Sequence, residues 1–382
     1  MDRRLLVLFC GILVSGGCAR EHDEVTSVTR FNLEVVDSVQ LEVMATYLSL
    51  MDVHDSTGNL LVIESDPPVV YEFDSLGQFI HRIQLEADGP ESVGRYILAA
   101  EYFEDGVALL GVNVLNIYDS SRTLQKSLKL PAPPKGMIYM GFNHLQEAVL
   151  EGSKHLTLLN AARTDYPPEQ PEYYQYFNLM EYVDPKSANF KAIGKLQQGS
   201  RYLNKRAHQF LKPSFHTIGH EVHYAMDTDT VLYVMDIASE EIVKQWKIPF
   251  TDFVLFNGFP MGAIGMEAKL EPRDSPGRIS NLFYVDSLHI ILYNPGIKLH
   301  VIEEIKATYG EEQAADRLDS LNGKKYMIMQ AGKVVGEGQL PAKMRDVILA
   351  SPDGYLWASQ DVDFLEEEPD QITFYKLRIV AY

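Results

Sequence analysis

Three histidines, His216, His220 and His223, lie close together in the sequence. The pair Gly219-His220 is typical of a two-residue hairpin turn, which would set His216 directly opposite His223 on the neighbouring strand. Two imidazoles at that separation could share a metal ion, but no third ligand can be identified. We therefore expect a half-buried histidine pair and no metal site.

No other motif in the sequence specifies a reaction. The chain contains no Gly-x-Ser-x-Gly elbow, phosphate-binding loop, His-Glu-x-x-His pair or EF-hand loop. The segment 351–354, Ser-Pro-Asp-Gly, matches half of a sialidase Asp box, but its spacing favours a hairpin turn. The acidic run 366–370 is interpreted as a solvated loop, with a calcium clamp as the alternative. No cofactor is predicted, and no catalytic residue can be named.

The start of the sequence predicts export and acylation at Cys18. A short charged segment precedes the apolar run Leu5–Val14, which has the length of a signal-peptide core. The segment Ser15-Gly16-Gly17-Cys18 resembles the lipobox of bacterial lipoproteins, with Ser15 where Leu or Val is usual. This resemblance implies cleavage before Cys18 and acylation of its thiol. A transmembrane anchor or an ordinary secretory signal is the alternative.

These features divide the chain into a signal peptide at 1–17, an acylated tether at 18–30 and a folded domain at 31–382. Cys10 would leave with the signal peptide, so the folded domain would have no thiol for a disulfide, catalysis or zinc binding. Ala19, next to the acylated residue, indicates the outer membrane of a Gram-negative bacterium. The membrane is thus one predicted partner, reached through the lipid anchor.

The net charge of −19 argues against binding to nucleic acid, because such proteins need a basic surface to contact phosphates. The same excess of acid argues against electrostatic docking on anionic lipid, so attachment would depend on the acyl group. An acidic surface also has a simpler role, since it keeps exported proteins soluble.

From residue 31 onward, short runs of Val, Ile, Leu, Tyr and Phe alternate with turn residues, which predicts an all-β fold. The clearest unit spans 47–85 and has the pattern of four strands in a meander. Further units are predicted at 97–130, 137–196, 214–248, 279–340 and 346–382. Aspartate ends the third strand in three units, at Asp74, Asp119 and Asp236, where its carboxylate can accept a backbone N–H of the following turn.

The last unit supplies only three strands, and residues 31–43 can provide the fourth. A radial array of four-stranded blades, closed by the N-terminal strand, removes the open edges of the sheets. The sequence therefore predicts a six-bladed β-propeller. A β-sandwich and a seven-bladed propeller, with one blade hidden in 137–212, are the alternatives.

Two insertions fall between the second and third strands of their blades and should overhang the same face. One is a Pro- and Tyr-rich segment in the third unit. The other, in the fifth unit, is the one convincing helix, predicted from the spacing of Ile302, Ile305, Leu318 and Leu321.

Cys18 together with the repeated meander resembles the six-bladed TolB-like and NHL-type propeller lipoproteins of Gram-negative bacteria, a group that includes families of unknown function. The segment Ala87–Gly94 is similar to the Gly-x-Gly-Pro-x-Glu-x-Gly sequence that follows the first blade in such proteins, with Ala87 in place of the leading glycine. The resemblance implies the fold, and the fold does not imply a function.

Basic residues lie close to the start of the innermost strand in five of the six predicted blades: Arg95, Lys135, Lys212, Arg278 and Arg345. Inner strands converge on the channel of a propeller, so these side chains would become neighbours. Convergent cations in a partly dehydrated mouth attract anions, and the planar guanidinium suits carboxylate, sulfate or phosphate. Solvated charge that offsets an acidic body is the alternative.

The sequence thus favours a membrane-anchored lipoprotein whose propeller face binds a small anionic ligand, a glycan or an envelope protein without catalysis. A propeller hydrolase or lyase acting on an envelope or extracellular substrate is the competing hypothesis. A structural subunit of an envelope complex is the third.

Overall fold

The computed structural model describes residues 29–43, 48–64, 68–85, 89, 92–94, 96–131, 145–158, 166–208, 211–261, 273–365 and 371–382. In these residues the chain forms six four-stranded antiparallel sheets arranged as a propeller, which confirms the predicted fold. Cys18 and the acidic run 366–370 lie outside the described residues.

The first three blades follow each other along the chain as simple meanders. Blade 1 comprises β2 (Ser49–Val53), β3 (Leu60–Glu64), β4 (Val69–Phe73) and β5 (Phe79–Gln84). Blade 2 comprises β6 (Ile97–Phe103), β7 (Gly106–Gly111), β8 (Val114–Tyr118) and β9 (Leu124–Lys129). Blade 3 comprises β10 (Leu145–Leu150), β11 (Ser153–Leu158), β12 (Asn178–Asp184) and β13 (Asn189–Lys195).

The second half of the ring has the same plan. Blade 4 comprises β15 (Pro213–Ile218), β16 (Glu221–Met226), β17 (Val231–Asp236) and β18 (Ile242–Lys247). Blade 5 comprises β20 (Arg278–Val285), β21 (Leu288–Asn294), β22 (Lys325–Gln330) and β23 (Lys333–Gln339). Blade 6 comprises β24 (Met344–Ala350), β25 (Leu356–Gln360), β26 (Ile372–Ala381) and β1 (Phe31–Leu41). A small pair, β14 (Arg206–Ala207) and β19 (Phe259–Pro260), joins two connecting loops.

The ring is closed by β1, the outermost strand of blade 6. It pairs antiparallel with β26 from Phe31 opposite Ala381 to Leu41 opposite Ile372, with one bulge after Val35. Near its end it buries Val39 and Leu41. The prediction that residues 31–43 supply the missing strand is therefore confirmed.

The core lies between neighbouring blades, because the sheets stack face to face around the ring. The first strands of adjacent blades contact each other in a closed circle, so they are the innermost strands. Middle strands such as β7 are buried along their whole length, whereas an outer strand such as β5 is exposed at nearly every position. This burial on both faces explains why the sequence of a middle strand such as β7 is a continuous apolar run.

The predicted turn aspartates cap the hairpins between third and fourth strands. Asp74 Oδ1 accepts hydrogen bonds from the N–H groups of Leu76 at 2.9 Å and Gln78 at 2.8 Å. Asp119 Oδ1 does the same with Ser121 at 3.0 Å and Thr123 at 2.9 Å. The recurring aspartate thus has the local role that the sequence indicated.

Two helices occupy the predicted insertions. The short helix α1 (Pro171–Tyr176) joins β11 to β12, and α2 (Leu299–Leu321) joins β21 to β22. Both connect second to third strands, so both leave the propeller on the face where the first strands begin. Among the described residues, no helix is long and apolar enough to cross a bilayer.

The apolar face expected for α2 is only partly buried, with Ile302, Ile305 and Leu318 half-buried. Ala314 is its buried residue, and Leu321 is 52% exposed. Gly310, with φ of 76°, interrupts the helix near its middle. The interruption changes the helix phase, so Ile302 and Ile305 do not form a continuous stripe with Leu318 and Leu321.

Candidate functional site

A cavity of about 1990 Å³ runs along the axis of the propeller and is lined by residues of all six blades. Its walls are formed mainly by the first strands of the blades, and charged residues line it together with aromatic residues such as Tyr102. The volume exceeds that of an ordinary small-molecule pocket, so it can hold a ligand together with water.

Four cations line one end of this cavity, and we call them the cationic mouth: Lys212, Arg278, Lys324 and Arg345. Lys212 directly precedes β15, Arg278 opens β20, and Arg345 is the second residue of β24. The structure thus brings together three of the five basic residues predicted from the sequence. The other two, Arg95 and Lys135, lie outside the described residues.

The sequence reasoning did not find Lys324, which directly precedes the third strand of blade 5. Only the connections that lead into first strands were considered. A second-to-third strand connection reaches the same face, so its basic residue joins the mouth. The signal for Lys324 was therefore present in the repeat pattern.

Two carboxylates accompany the cationic mouth. Arg278 Nη1 donates to Asp227 Oδ2 at 3.0 Å, and Lys324 Nζ donates to the carbonyl of Arg345 at 2.6 Å and lies 2.7 Å from Asp346 Oδ2. Burial raises the pKa of Asp227 to about 6, although the charges of Arg278 and Lys212 lower it. Burial also raises the pKa of Asp346, against the influence of Lys324 and Lys212. The positive charge of Lys212 lowers the pKa of both carboxyl groups, so Lys212 influences both ion pairs of the mouth.

Carboxylates line the cavity further along its axis, where they fasten neighbouring blades together. Asp52 Oδ2 accepts a hydrogen bond from the N–H of Tyr102 at 2.7 Å, and Glu101 Oε1 accepts one from the N–H of Glu147 at 3.0 Å. Burial raises the pKa of Asp52 to about 7. Burial, and then the neighbouring charge of Asp52, hold the pKa of Glu101 well above its usual range.

The cavity is polarised along its axis. Glu101 is bonded to Glu147, and the neighbouring Gln146 accepts a hydrogen bond from the N–H of Thr217 at 2.6 Å. These acids therefore lie at about the level of Thr217. Lys212, which directly precedes β15, lies five residues before Thr217. At about 3.3 Å per residue, the cationic mouth and the acidic level are separated by roughly 15 Å.

The histidines have the predicted register, with His216 opposite His223. His216 lines the cavity, but the nearest partner of His223 lies in the next blade, where His289 Nε2 is 2.8 Å from His223 Nδ1. A partner from another blade could not be read from the local sequence. Among the described residues, no group of three or more His, Cys, Asp or Glu side chains is arranged to hold a metal ion.

No protein-family model matches the chain, and no curated protein matches it either. In structure it is similar to a DUF4221 family member from Bacteroides vulgatus, with 11% identity and a TM-score of 0.65 over 93% of this chain and 100% of that one. It is also similar to a candidate exported protein from Bacteroides fragilis, with 13% identity and a TM-score of 0.55 over 91% of this chain and 95% of that one. At such identities the likeness shows the fold alone, so the chain is a six-bladed propeller similar to these Bacteroides proteins.

Proposed function

We propose that this chain is an exported, lipid-anchored binding protein whose channel holds a small anionic ligand at the cationic mouth. The observation that carries the proposal is the convergence of four cations from three blades on one end of a single cavity. In a chain with a net charge of −19, such a concentration of positive charge runs against the overall composition.

The surroundings of the mouth strengthen its attraction for anions. Charges that converge in a partly dehydrated cavity interact more strongly than the same charges on an open surface. The side chain of Arg278 is 52% exposed and Arg345 is exposed, so both guanidinium groups can reach a ligand. A guanidinium group offers two parallel N–H donors to a carboxylate, sulfate or phosphate.

The proposed role is binding without catalysis. The cavity does contain carboxylates with raised pKa values, Asp52 and Glu101, which is a common property of catalytic acids. Each of them, however, accepts a backbone N–H from the next blade. Such bonds give these two acids a structural role in holding the ring together, which favours binding over hydrolysis or lysis.

Export and anchoring rest on the sequence. The apolar run before Cys18 and the small residues beside it support cleavage and acylation, and one structural neighbour is described as a candidate exported protein. An outer-membrane location and a TolB-like or NHL-type relationship belong to the same proposal. The anchor would hold the propeller at the membrane, where a glycan or an envelope protein is a further possible occupant of its face.

Calorimetry with inorganic sulfate tests the proposed function. We expect sulfate to bind, and to bind more weakly as sodium chloride is added, because salt screens the cationic mouth. Arg345→Gln should weaken binding about tenfold, the effect of losing one charge-assisted hydrogen bond. Arg378→Gln is the matched control, since Arg378 is exposed on β26 of the same blade and does not line the cavity. Equal affinities for the two variants, or no binding by the unaltered chain, would overturn the proposal.

A further inference from the structure

The best-buried carboxylate of the cationic mouth is a built-in competitor for a ligand. Asp227 is 5% exposed, and its Oδ2 atom accepts a hydrogen bond from Arg278 Nη1 at 3.0 Å. The side chain of Arg278 is half exposed, and Arg278 lines the cavity. An anion that enters the mouth therefore meets a guanidinium whose positive charge is already offset by the carboxylate of Asp227.

Hydrogen bonds fix the backbone of Asp227 beside the mouth. Its N–H donates to the carbonyl of Lys212 at 2.9 Å, and its own carbonyl accepts the N–H of Ile279 at 2.7 Å. These bonds hold Asp227 where blades 4 and 5 meet. Protonation of this carboxylate removes the negative charge that holds Arg278.

Burial makes proton uptake by Asp227 possible near neutral pH. The charges of Arg278 and Lys212 stabilise the ionised form of Asp227 and lower its pKa. Burial has the larger effect and raises the pKa of Asp227 to about 6. Burial raises the pKa values of the Tyr173 and Tyr202 phenols, and the charge of Asp227 raises them further, so both phenols stay neutral. Asp227 thus changes charge between about pH 5 and 7. Burial also raises the pKa of Asp346, which is paired with Lys324 and not with Arg278.

We infer that Asp227 gates anion binding: its protonation frees Arg278 for the ligand, so the cationic mouth binds anions more tightly as the medium becomes more acidic. This inference rests on the proposed function and adds its regulation. The mouth would capture an anionic ligand in a mildly acidic medium and release it near neutral pH. Binding of each anion would be accompanied by the uptake of up to one proton by Asp227.

The size of the effect follows from the population of protonated Asp227. If only that form binds, sulfate affinity should fall about 30-fold between pH 5 and pH 7.5. Sulfate is a suitable probe because it is fully ionised throughout this range. Titration calorimetry of the full chain, at fixed ionic strength and in two buffers with different ionisation enthalpies, measures both the affinity and the proton uptake.

Asp227→Asn is the decisive variant, because asparagine keeps the shape and cannot titrate. We expect it to bind sulfate at pH 7.5 about as tightly as the unaltered chain does at pH 5, without proton uptake. His216→Gln is the matched control, since His216 is a titratable group on the wall of the same cavity, and it should keep the pH dependence.

The outcomes separate this inference from the proposed function. Absence of sulfate binding at every pH would overturn the proposed function. Binding that is independent of pH, or pH dependence that survives in Asp227→Asn, would overturn the gate alone. Weaker binding by Asp227→Asn at every pH would also overturn it, since Asp227 would then position Arg278 for the ligand. Proton uptake by the unaltered chain tests the gate even if the variant does not fold.

Discussion

At the scale of single residues, the contact between His223 and His289 has a clear consequence for stability. The two rings share one hydrogen bond of 2.8 Å, and His223 Nε2 lies 3.4 Å from Glu221 Oε2. His289 is 3% exposed, and its Nδ1 atom has no hydrogen-bond partner among the described residues. Burial, followed by the charges of His223, His216 and Lys244, lowers the pKa of His289 to about 3. The folded protein therefore keeps this ring neutral.

We predict that acid destabilises the propeller through His289. Its pKa falls from 6.5 to about 3 on folding, so the folded state binds fewer protons than the unfolded state between these values. The stabilising contribution is complete above pH 6.5 and is lost as the pH falls, by about 3 kcal/mol at pH 4. His289→Phe should reduce the difference in unfolding free energy between pH 7 and pH 4, measured with urea.

The control for this prediction is His300→Phe, because His300 is exposed on α2 and should leave the pH dependence unchanged. If His289→Phe loses as much stability in acid as the unaltered chain, then proton binding at His289 is not the cause.

At the scale of secondary-structure elements, β1 has the most specific role. It connects the start of the described chain to the last blade, and Tyr326 of blade 5 donates from its hydroxyl to Asn32 Oδ1. Without β1, β26 would become an open edge that could pair with other chains. One strand therefore contributes both to closure of the ring and to solubility.

We predict that deletion of residues 31–43 destabilises the whole propeller. Burial of Val39 and Leu41 alone contributes about 3 to 6 kcal/mol, to which the lost strand pairing adds. Thermal unfolding should show a large decrease in Tm or no cooperative transition. Deletion of residues 19–28 is the control and should leave the Tm unchanged. The same Tm for both deletions would mean that β1 is not needed for closure.

At the scale of the whole molecule, the proposed anchor would hold the propeller at the membrane and leave the mouth of its channel accessible. The propeller presents its insertions on the face where the cationic mouth opens. A tether at 18–30 would leave this face free to meet ligands from the surrounding medium while it holds the protein at the membrane. The negative net charge would keep the exposed outer strands from associating.

We predict that Cys18→Ser abolishes lipid attachment. The thiol is the acceptor in a lipobox, and a single hydroxyl at this position cannot form the thioether. Metabolic labelling with an alkyne fatty acid should mark the unaltered protein and not the variant, and the variant should move to the soluble fraction. Cys10→Ser is the matched control and should stay labelled. Labelling of the Cys18→Ser protein would refute the lipobox interpretation.

The sequence by itself determined the elements and their order. Strand runs, turn aspartates such as Asp74 and the missing fourth strand of the last unit were enough to predict six blades and the closing role of β1, because these are local or repeated patterns. Lys212, Arg278 and Arg345 were also predictable, since each lies at or next to the start of the first strand of its blade. Tertiary structure alone decided which groups meet across blades.

The pairing of Arg278 with Asp227, of Lys324 with Asp346 and of His223 with His289 depends on contacts between residues 22 to 66 positions apart. Such contacts leave no periodic trace in a single sequence, because they depend on how neighbouring blades stack. The raised pKa of Asp227 and the lowered pKa of His289 come from burial in those interfaces. The sequence therefore indicated three of the four cations of the mouth, and the packing of blades decided which of the four are paired with a carboxylate.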